Sequence, residues 1–247
     1  MSNRKVLLIG ATSAIGERVA RGLAAQGAGC YLTGRNAGRL ASIADDLRVR
    51  GAALVMVEPL DVTDASALDG VVTRAMTALG GLDTLIVTAG SLPDQAALND
   101  NPALLRETMT VNAVSAMAVL SQAAALFEQQ GQGHLVAIGS VAGDRGRAVN
   151  AAYGAAKGAL EIYLSGLRQR LHQRGVKVLL VKPGFVDTPM TASFAKGPLW
   201  ATPERVATDI LGALERGRAV IYTPWFWRWI MLIIRHLPEP LFVRLKF

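Results

Sequence analysis

Cysteine is almost missing from this chain: Cys30, in an apolar run, is the only one in 247 residues. An intrachain disulfide is therefore excluded, and a reducing, cytoplasmic setting fits. Histidine is nearly as scarce. His134, His172 and His236 lie far apart with no cysteine at ligand spacing, so no metal site is expected. Charged residues make up only 18% against 51% apolar, a balance that excludes disorder and supplies a sizeable core. No apolar run reaches the ~20 residues of a membrane span. The basic start, Met1 to Gly10, carries only the apolar run Val6 to Ile9, too short for a secretory signal. The net charge is +7, but Lys and Arg are scattered without a basic run, so no nucleic-acid partner is expected.

What is present is alternation. Short apolar runs at Lys5–Gly10, Cys30–Gly34, Ala53–Glu58, Thr84–Thr88, His134–Gly139, Lys177–Lys182 and Ala219–Tyr222 read as strands. Between most of them lie helical patterns, among them Ile15–Gln26, Ala65–Leu79, Leu104–Phe127, Ala151–His172 and Pro203–Arg216. Continuous apolar strands suit a parallel sheet covered on both faces, and the alternation predicts an α/β, Rossmann-type doubly wound fold. With no linker or repeat, one domain over 1–247 is the economical reading, with 224–247 as an apolar, aromatic extension.

The first strand runs into Gly10-Ala11-Thr12-Ser13-Ala14-Ile15-Gly16 and then a helix. Small residues let the backbone approach a pyrophosphate, and the helix start offers free N–H groups and a positive dipole end. Gly10, Thr12, Ser13, Ile15 and Gly16 are the candidates for holding a dinucleotide. NAD-preferring folds place an acid after the second strand, yet no Asp or Glu occurs between Arg18 and Asp45, and Arg35 stands in that place. A guanidinium there can grip a 2′-phosphate, so the expected cofactor is NADP(H).

Tyr153 and Lys157 are four apart in a helical pattern and share a face. A nearby ammonium favours the phenolate, which should lower the tyrosine pKa toward working pH and make it a usable general acid. Ser140 follows the fifth apolar strand. Asn112 is an amide inside an apolar helical run, where its plain structural role would be a buried, helix-bending hydrogen bond.

With these residues in order, the chain resembles the short-chain dehydrogenase/reductase superfamily over nearly its whole length. The resemblance rests on the glycine turn, Asp61-Val62, Ala89-Gly90, Asn112, Ser140, Tyr153, Lys157 and Pro183-Gly184. It implies a sheet of about seven parallel strands, Tyr153 as acid/base and Ser140 orienting a substrate carbonyl. It further implies that Lys157 binds the nicotinamide ribose and tunes Tyr153, and that Asn112 maintains a helix break and a proton-relay water. Asp61 and Val62 would meet adenine, Ala89 and Gly90 ribose, and Val186 and Thr188 the nicotinamide amide, beside Pro183 and Gly184. It also implies a homodimer or homotetramer built on the long helices beginning near Leu104 and Ala151. Three positions depart from the pattern: Ile9 for a common threonine, Ala14 for the usual middle glycine, and Thr88 for an asparagine.

The tail is unusual. Trp225 to Arg235 holds nine apolar residues in eleven and three of the four tryptophans. Arg228, Arg235, Arg244 and Lys246 accompany it. Such a segment suits peripheral contact with a membrane, at its cytoplasmic face, through 225–247; the alternative is a helix packed over the pocket or in an oligomer interface. The tail, Gly143 to Arg147 and Pro189-Met190-Thr191 are similar to reductases of decaprenylphosphoryl keto-pentose. That resemblance implies a lipid-phosphate ketone as substrate, with Arg145 and Arg147 as headgroup ligands. The alternatives are another keto-lipid, such as a 3-keto long-chain base or acyl chain, or a non-catalytic dinucleotide sensor or scaffold.

Overall fold

The computed structural model describes residues 4–245, so Lys246 and Phe247 of the tail and the first three residues of the basic start lie outside it. The order of elements is β1 (Lys5–Ile9), α1 (Ala14–Ala24), β2 (Gly29–Gly34), α2 (Ala37–Val49), β3 (Leu54–Pro59), α3 (Ala65–Leu68) and α4 (Val71–Leu79). Next come β4 (Thr84–Val87), α5 (Gln95–Asn99), α6 (Pro102–Met109), a π-helical turn (Thr110–Val114), α7 (Ser115–Gln130), β5 (Gly133–Ile138) and α8 (Ala151–Leu171). The chain continues through β6 (Val176–Pro183), α9 (Pro203–Glu215), β7 (Val220–Thr223), α10 (Trp227–His236) and α11 (Glu239–Phe242).

The seven strands form one parallel sheet in the order β3-β2-β1-β4-β5-β6-β7. Successive side chains of a strand point to opposite faces. Leu7, Leu85 and Leu135 therefore join one core with α4, α7 and α8, while Leu8, Ile86 and Val136 join a second with α1, α2 and α9. Cys30 belongs to the second core, where burial pushes its thiol up to about 12 and leaves it inert. The strand order reverses direction between β1 and β4. Crevices at the carboxyl ends of such a switch point are where ligands bind in open α/β sheets.

Two helical readings are corrected. The pattern Ala65–Leu79 breaks at Gly70, whose φ of 71° is a left-handed conformation that ends α3 and starts α4. The pattern Leu104–Phe127 is two α-helices separated by the π-helical turn. By length and composition the whole run 102–130 could cross a bilayer, contrary to the sequence expectation. In the fold, however, Val119, Leu120, Ala123, Ala124 and Phe127 are buried in the core. Between β2 and β3, where no pattern was named, lies α2, capped by the Asn36 side chain on Arg39 N at 2.9 Å.

Candidate active site

The glycine turn is built by sequence that leaves no space for anything larger. Gly10 has φ 86°, and a Cβ there would come within 2.6 Å of Ala89 N. A Cβ at Gly16 would lie 2.6 Å from Thr88 Oγ1 and 2.8 Å from Ser13 Oγ. Ser13 caps α1 by accepting from Gly16 N at 3.0 Å, and donates to Thr88 Oγ1 at 3.0 Å. Thr88 in turn donates to Gly10 O at 2.8 Å. The unusual threonine thus ties the end of β4 to the turn. Thr12 lies against Gly34, and Ile15 packs on the second core. Gly10, Thr12, Ser13, Ile15, Gly16 and Ala89 are therefore gathered at the switch point. Glycine at 10 and 16 is thus required by the protein's own close packing, and the start of α1 lies at this point with the unpaired N–H groups that an anion such as a pyrophosphate would need.

Arg35 follows β2 and is exposed; it is near enough to Asp61 to help lower that carboxyl, after the Thr63 hydrogen bonds at 2.9 and 2.8 Å. Val62 is half-buried on the first core. The nearest strand-end acid, Glu58 on β3, is bound to Arg74 at 2.7 Å and to the Tyr31 hydroxyl at 2.7 Å. The sequence reading missed Arg39, one turn into α2, whose Nη2 bonds Glu17 at 3.1 Å. A cleft of about 510 Å³ runs from Ala14, Glu17 and Arg39 to Asp187, Thr188 and Pro189 on the loop after β6.

Asn112 sits in the π-helical turn, buried. Its Nδ2 donates to Thr108 O at 3.0 Å and to Ser91 O at 2.9 Å, and its Oδ1 accepts from Ser91 N at 3.1 Å. The helix break is therefore a lock between α7 and the segment after β4. Both amide protons are committed, so only an Oδ1 lone pair remains for any water. A Cβ at Gly90 would lie 3.1 Å from Asn112 Oδ1 and 3.7 Å from Lys157 Nζ, which places these three groups side by side.

Lys157 is buried on α8. Its Nζ donates to Ile138 O at 2.9 Å and lies 5.7 Å from the Tyr153 ring centroid. Burial drops its pKa to about 8. Ser140 accepts from Ala142 N at 3.1 Å, which folds the start of its loop. The expected lowering of the Tyr153 pKa is corrected. Burial pushes the phenol up, the nearby Ser140 hydroxyl opposes it in part, and Lys157 contributes no lowering.

Two further contacts were illegible in sequence. Lys182, on β6 just before Pro183, is buried between Asp144 of the Ser140 loop and Glu161 of α8, bonding Glu161 at 2.7 and 2.8 Å. Tyr222 of β7 donates to Asp144 Oδ2 at 3.0 Å. Burial alone would lower the Lys182 pKa, but the two carboxylates outweigh it and raise it. One ammonium thus fastens the Ser140 loop, the tyrosine helix and the end of β6 together.

The second contact concerns the tail. Trp227 is buried against Gly184, where a Cβ would overlap its indole, and sits edge-on to Phe185 at 5.4 Å. Phe185 stacks on Trp200 at 5.4 Å. With Met231 and Val141, Trp227 forms a third apolar cluster beside Ser140. Val186 bridges to Ala201, and Thr188 holds Thr191 at 3.2 Å. One face of α10 is thus a lid over the loops after β5 and β6.

The short chain dehydrogenase family profile matches residues 4–198. The chain is 38% identical over 234 residues to an uncharacterized oxidoreductase of Mycobacterium tuberculosis, covering 95% of this chain and 94% of that one. To an uncharacterized oxidoreductase of Streptomyces coelicolor it is 34% identical over 243 residues, covering 98% and 96%. Among solved structures, it superposes with TM-score 0.83 and 25% identity on the bulky-bulky ketone specific alcohol dehydrogenase from Comamonas testosteroni, covering 99% and 96% of the chains. A short-chain type dehydrogenase/reductase from Mycobacterium ulcerans has the same fold, with TM-score 0.81, 24% identity and coverage of 100% and 99%.

Proposed function

The chain belongs to the short chain dehydrogenase family, and from that premise we propose that it is an NADPH-dependent reductase turning the ketone of a lipid-linked substrate into a secondary alcohol. The observation that carries this reading is the buried Lys157, its Nζ 5.7 Å from the Tyr153 ring centroid and 2.9 Å from Ile138 O, with Asn112 and Gly90 beside it. When bound, the reduced nicotinamide supplies the hydride. Ser140 and Tyr153 are the two donors for a carbonyl oxygen, and Tyr153 gives that oxygen its proton as negative charge develops. Burial keeps the phenol protonated, the form an acid requires. Lys157, fixed by Ile138 O, holds the nicotinamide ribose and returns a proton to Tyr153. Asn112 keeps Gly90 and Lys157 in register.

Gly10, Thr12, Ser13, Ile15 and Gly16 would hold the pyrophosphate, Asp61 and Val62 the adenine, and Ala89 and Gly90 ribose. Pro183, Gly184, Val186 and Thr188 would meet the nicotinamide amide. Arg35, with Arg39 behind it, would take the 2′-phosphate. Glu58 is occupied by Arg74 and Tyr31, so it does not compete as a ribose ligand. Arg35→Ala is expected to weaken NADPH binding by several-fold or more, since a charged hydrogen bond contributes ~1.5–3 kcal/mol, while NADH binding hardly changes. Titration of both cofactors tests it. Equal wild-type affinity for the two would refute the preference.

Phe185, Trp200 and Trp227 make an aromatic wall, and Met190, Phe194 and Leu199 beside it are exposed apolar residues. The Comamonas relative is named for bulky ketones. Both support a large apolar substrate such as a polyprenylphosphoryl keto-sugar, with a 3-keto long-chain base or acyl chain as the alternative. Exposed Val114 and Ile162, on the π-helical turn and α8, support an oligomer through these helices. Trp225 just before α10 and Trp229 and Ile233 on it are 65%, 56% and 66% exposed, and Arg228 lies over Trp229. This face supports docking on an anionic bilayer at its cytoplasmic side. The variant Trp225→Ala/Trp229→Ala is expected to lose most co-sedimentation with anionic vesicles while keeping NADPH affinity. Salt should weaken wild-type binding without abolishing it. Wild-type protein that ignores such vesicles would end this reading.

A further inference from the structure

Six α-helices among the described residues begin with a residue whose own side chain closes the first turn. Asn36 accepts from Arg39 N at 2.9 Å and Asn101 from Leu104 N at 3.0 Å, and Ser13, Asp64, Asp94 and Thr202 act alike. The helix that carries Tyr153 and Lys157, α8, also starts at an asparagine, yet Asn150 does not close it. Its ψ is 40°, against 101° at Asn36 and 87° at Asn101. Its Oδ1 is buried and meets no partner among the described residues.

The acceptor comes from elsewhere. Gln95 opens α5, 57 positions before, and its Oε1 accepts from Ala152 N at 3.0 Å. Its Nε2 donates to Asn99 Oδ1 at 3.0 Å. Only the oxygen of that amide can meet a backbone N–H, so the two ends are assigned by their partners.

The place of this contact gives it weight. The four N–H groups that open a helix have no partner within it, and an uncapped first turn frays. Ala152 is the second residue of α8 and Tyr153 the third, so the phenol hangs from this turn. Lys157 lies a turn deeper, buried and tied to Ile138 O of the sheet. The lysine is thus held by β5, while the tyrosine backbone is held from α5.

The far end of the same segment is also fixed. Asn112 holds Ser91 through bonds of 2.9 and 3.1 Å, and Asp94 caps α5 on Ala96 N at 3.3 Å. A Cβ at Gly90 would lie 3.7 Å from Lys157 Nζ. The stretch 90–95 therefore comes beside the lysine with its first residue and meets the tyrosine turn with its last.

We infer that Gln95 is a positioning residue: its side-chain oxygen sets the first turn of α8 and so fixes Tyr153 relative to Lys157. What Tyr153 does there rests on the reductase reading, but its place is tested by spectroscopy alone.

Wild type is compared with Gln95→Ala and with Gln95→Glu, which keeps an acceptor oxygen. Gln95 is only half-buried at the start of a short helix, and alanine suits a helix, so both variants should fold. In Gln95→Ala the amides of Ala152 and Tyr153 should exchange with deuterium roughly 2- to 30-fold faster, the ratio a lost cap gives, while strand amides keep their protection. In fluorotyrosine-labelled protein the Tyr153 resonance, assigned with Tyr153→Phe, should shift and broaden. Gln95→Glu should restore most of both. Unchanged exchange at Ala152 and Tyr153 would overturn the assignment. So would faster exchange with an unmoved Tyr153 resonance, because the cap would then serve the helix alone. Equal behaviour of Gln95→Glu and Gln95→Ala would do the same. Wild-type NADPH oxidation on a panel of bulky ketones is measured separately. Its absence would sink the reductase reading and leave exchange and resonance to decide the position of Tyr153.

Discussion

Tyr153→Phe is expected to lower ketone reduction by about 10²–10⁴-fold, the contribution of a positioned general acid. The substitution removes one hydroxyl and keeps the ring that lies beside Lys157, so the fold and NADPH affinity should survive. Ser140 would still offer one donor to the carbonyl, which is why the loss is large rather than complete. Turnover within a few-fold of wild type would take Tyr153 out of the role. The pH profile gives a second check. Burial raises the phenol and drops Lys157 to about 8. Reduction should therefore hold below pH 8 and decline as pH rises through it, because the ammonium that returns the proton is lost there. A rate that instead rose through pH 8 would contradict this assignment.

The second large effect is on stability. Lys182→Met is expected to cost about 3–5 kcal/mol, the usual penalty for removing one partner of a buried pair. It would leave the Asp144 and Glu161 carboxylates facing one another, Asp144 in particular being almost wholly enclosed. Against a total stability of about 5–15 kcal/mol, that is a major fraction. Denaturant unfolding measures it, and a loss below about 1 kcal/mol would show the cluster to be solvated. The sign with pH follows from the lysine. Its pKa in the fold is raised above the ordinary 10.5, so its contribution is complete below pH 10.5 and disappears as pH climbs past the raised value.

Much of this architecture was legible because it depends on local pattern. The seven apolar runs match β1 to β7 within a few residues, and the glycine turn falls at the switch point because small residues there have a backbone reason. Tyr153, Lys157, Ser140 and Asn112 stand out in the sequence by spacing and order, and the structure sets Lys157 beside the Tyr153 ring and beside Asn112 and Gly90, while their chemical roles belong to the proposal. What escaped depends on partners distant in sequence. The π-helical turn exists because Asn112 reaches Ser91, 21 residues away, and no helical periodicity reveals that. The Lys182 cluster draws on residues 21 to 78 positions apart. Arg145 and Arg147 look alike in sequence, and only the fold shows that Arg145 is taken up by Ile234 O, Leu237 O and Glu239 of the tail, which corrects its expected headgroup role. The tail was read as either a membrane element or a lid. Its two faces allow both, since Trp227 and Met231 point inward while Trp225 and Trp229 face out.

The seat of Trp227 on Gly184 also bears on how this chain can be redesigned. The two residues are 43 positions apart in the sequence, yet the indole occupies the space that a side chain at 184 would need. Grafting the C-terminal segment onto another scaffold would succeed only where the recipient keeps glycine at the matching position. Conversely, a chimera that brings in a bulkier residue at 184 must shrink the indole at the same time. Exchange of the tail between relatives, as a way to transplant substrate range, therefore has its crossover point before Pro183 rather than after Thr223.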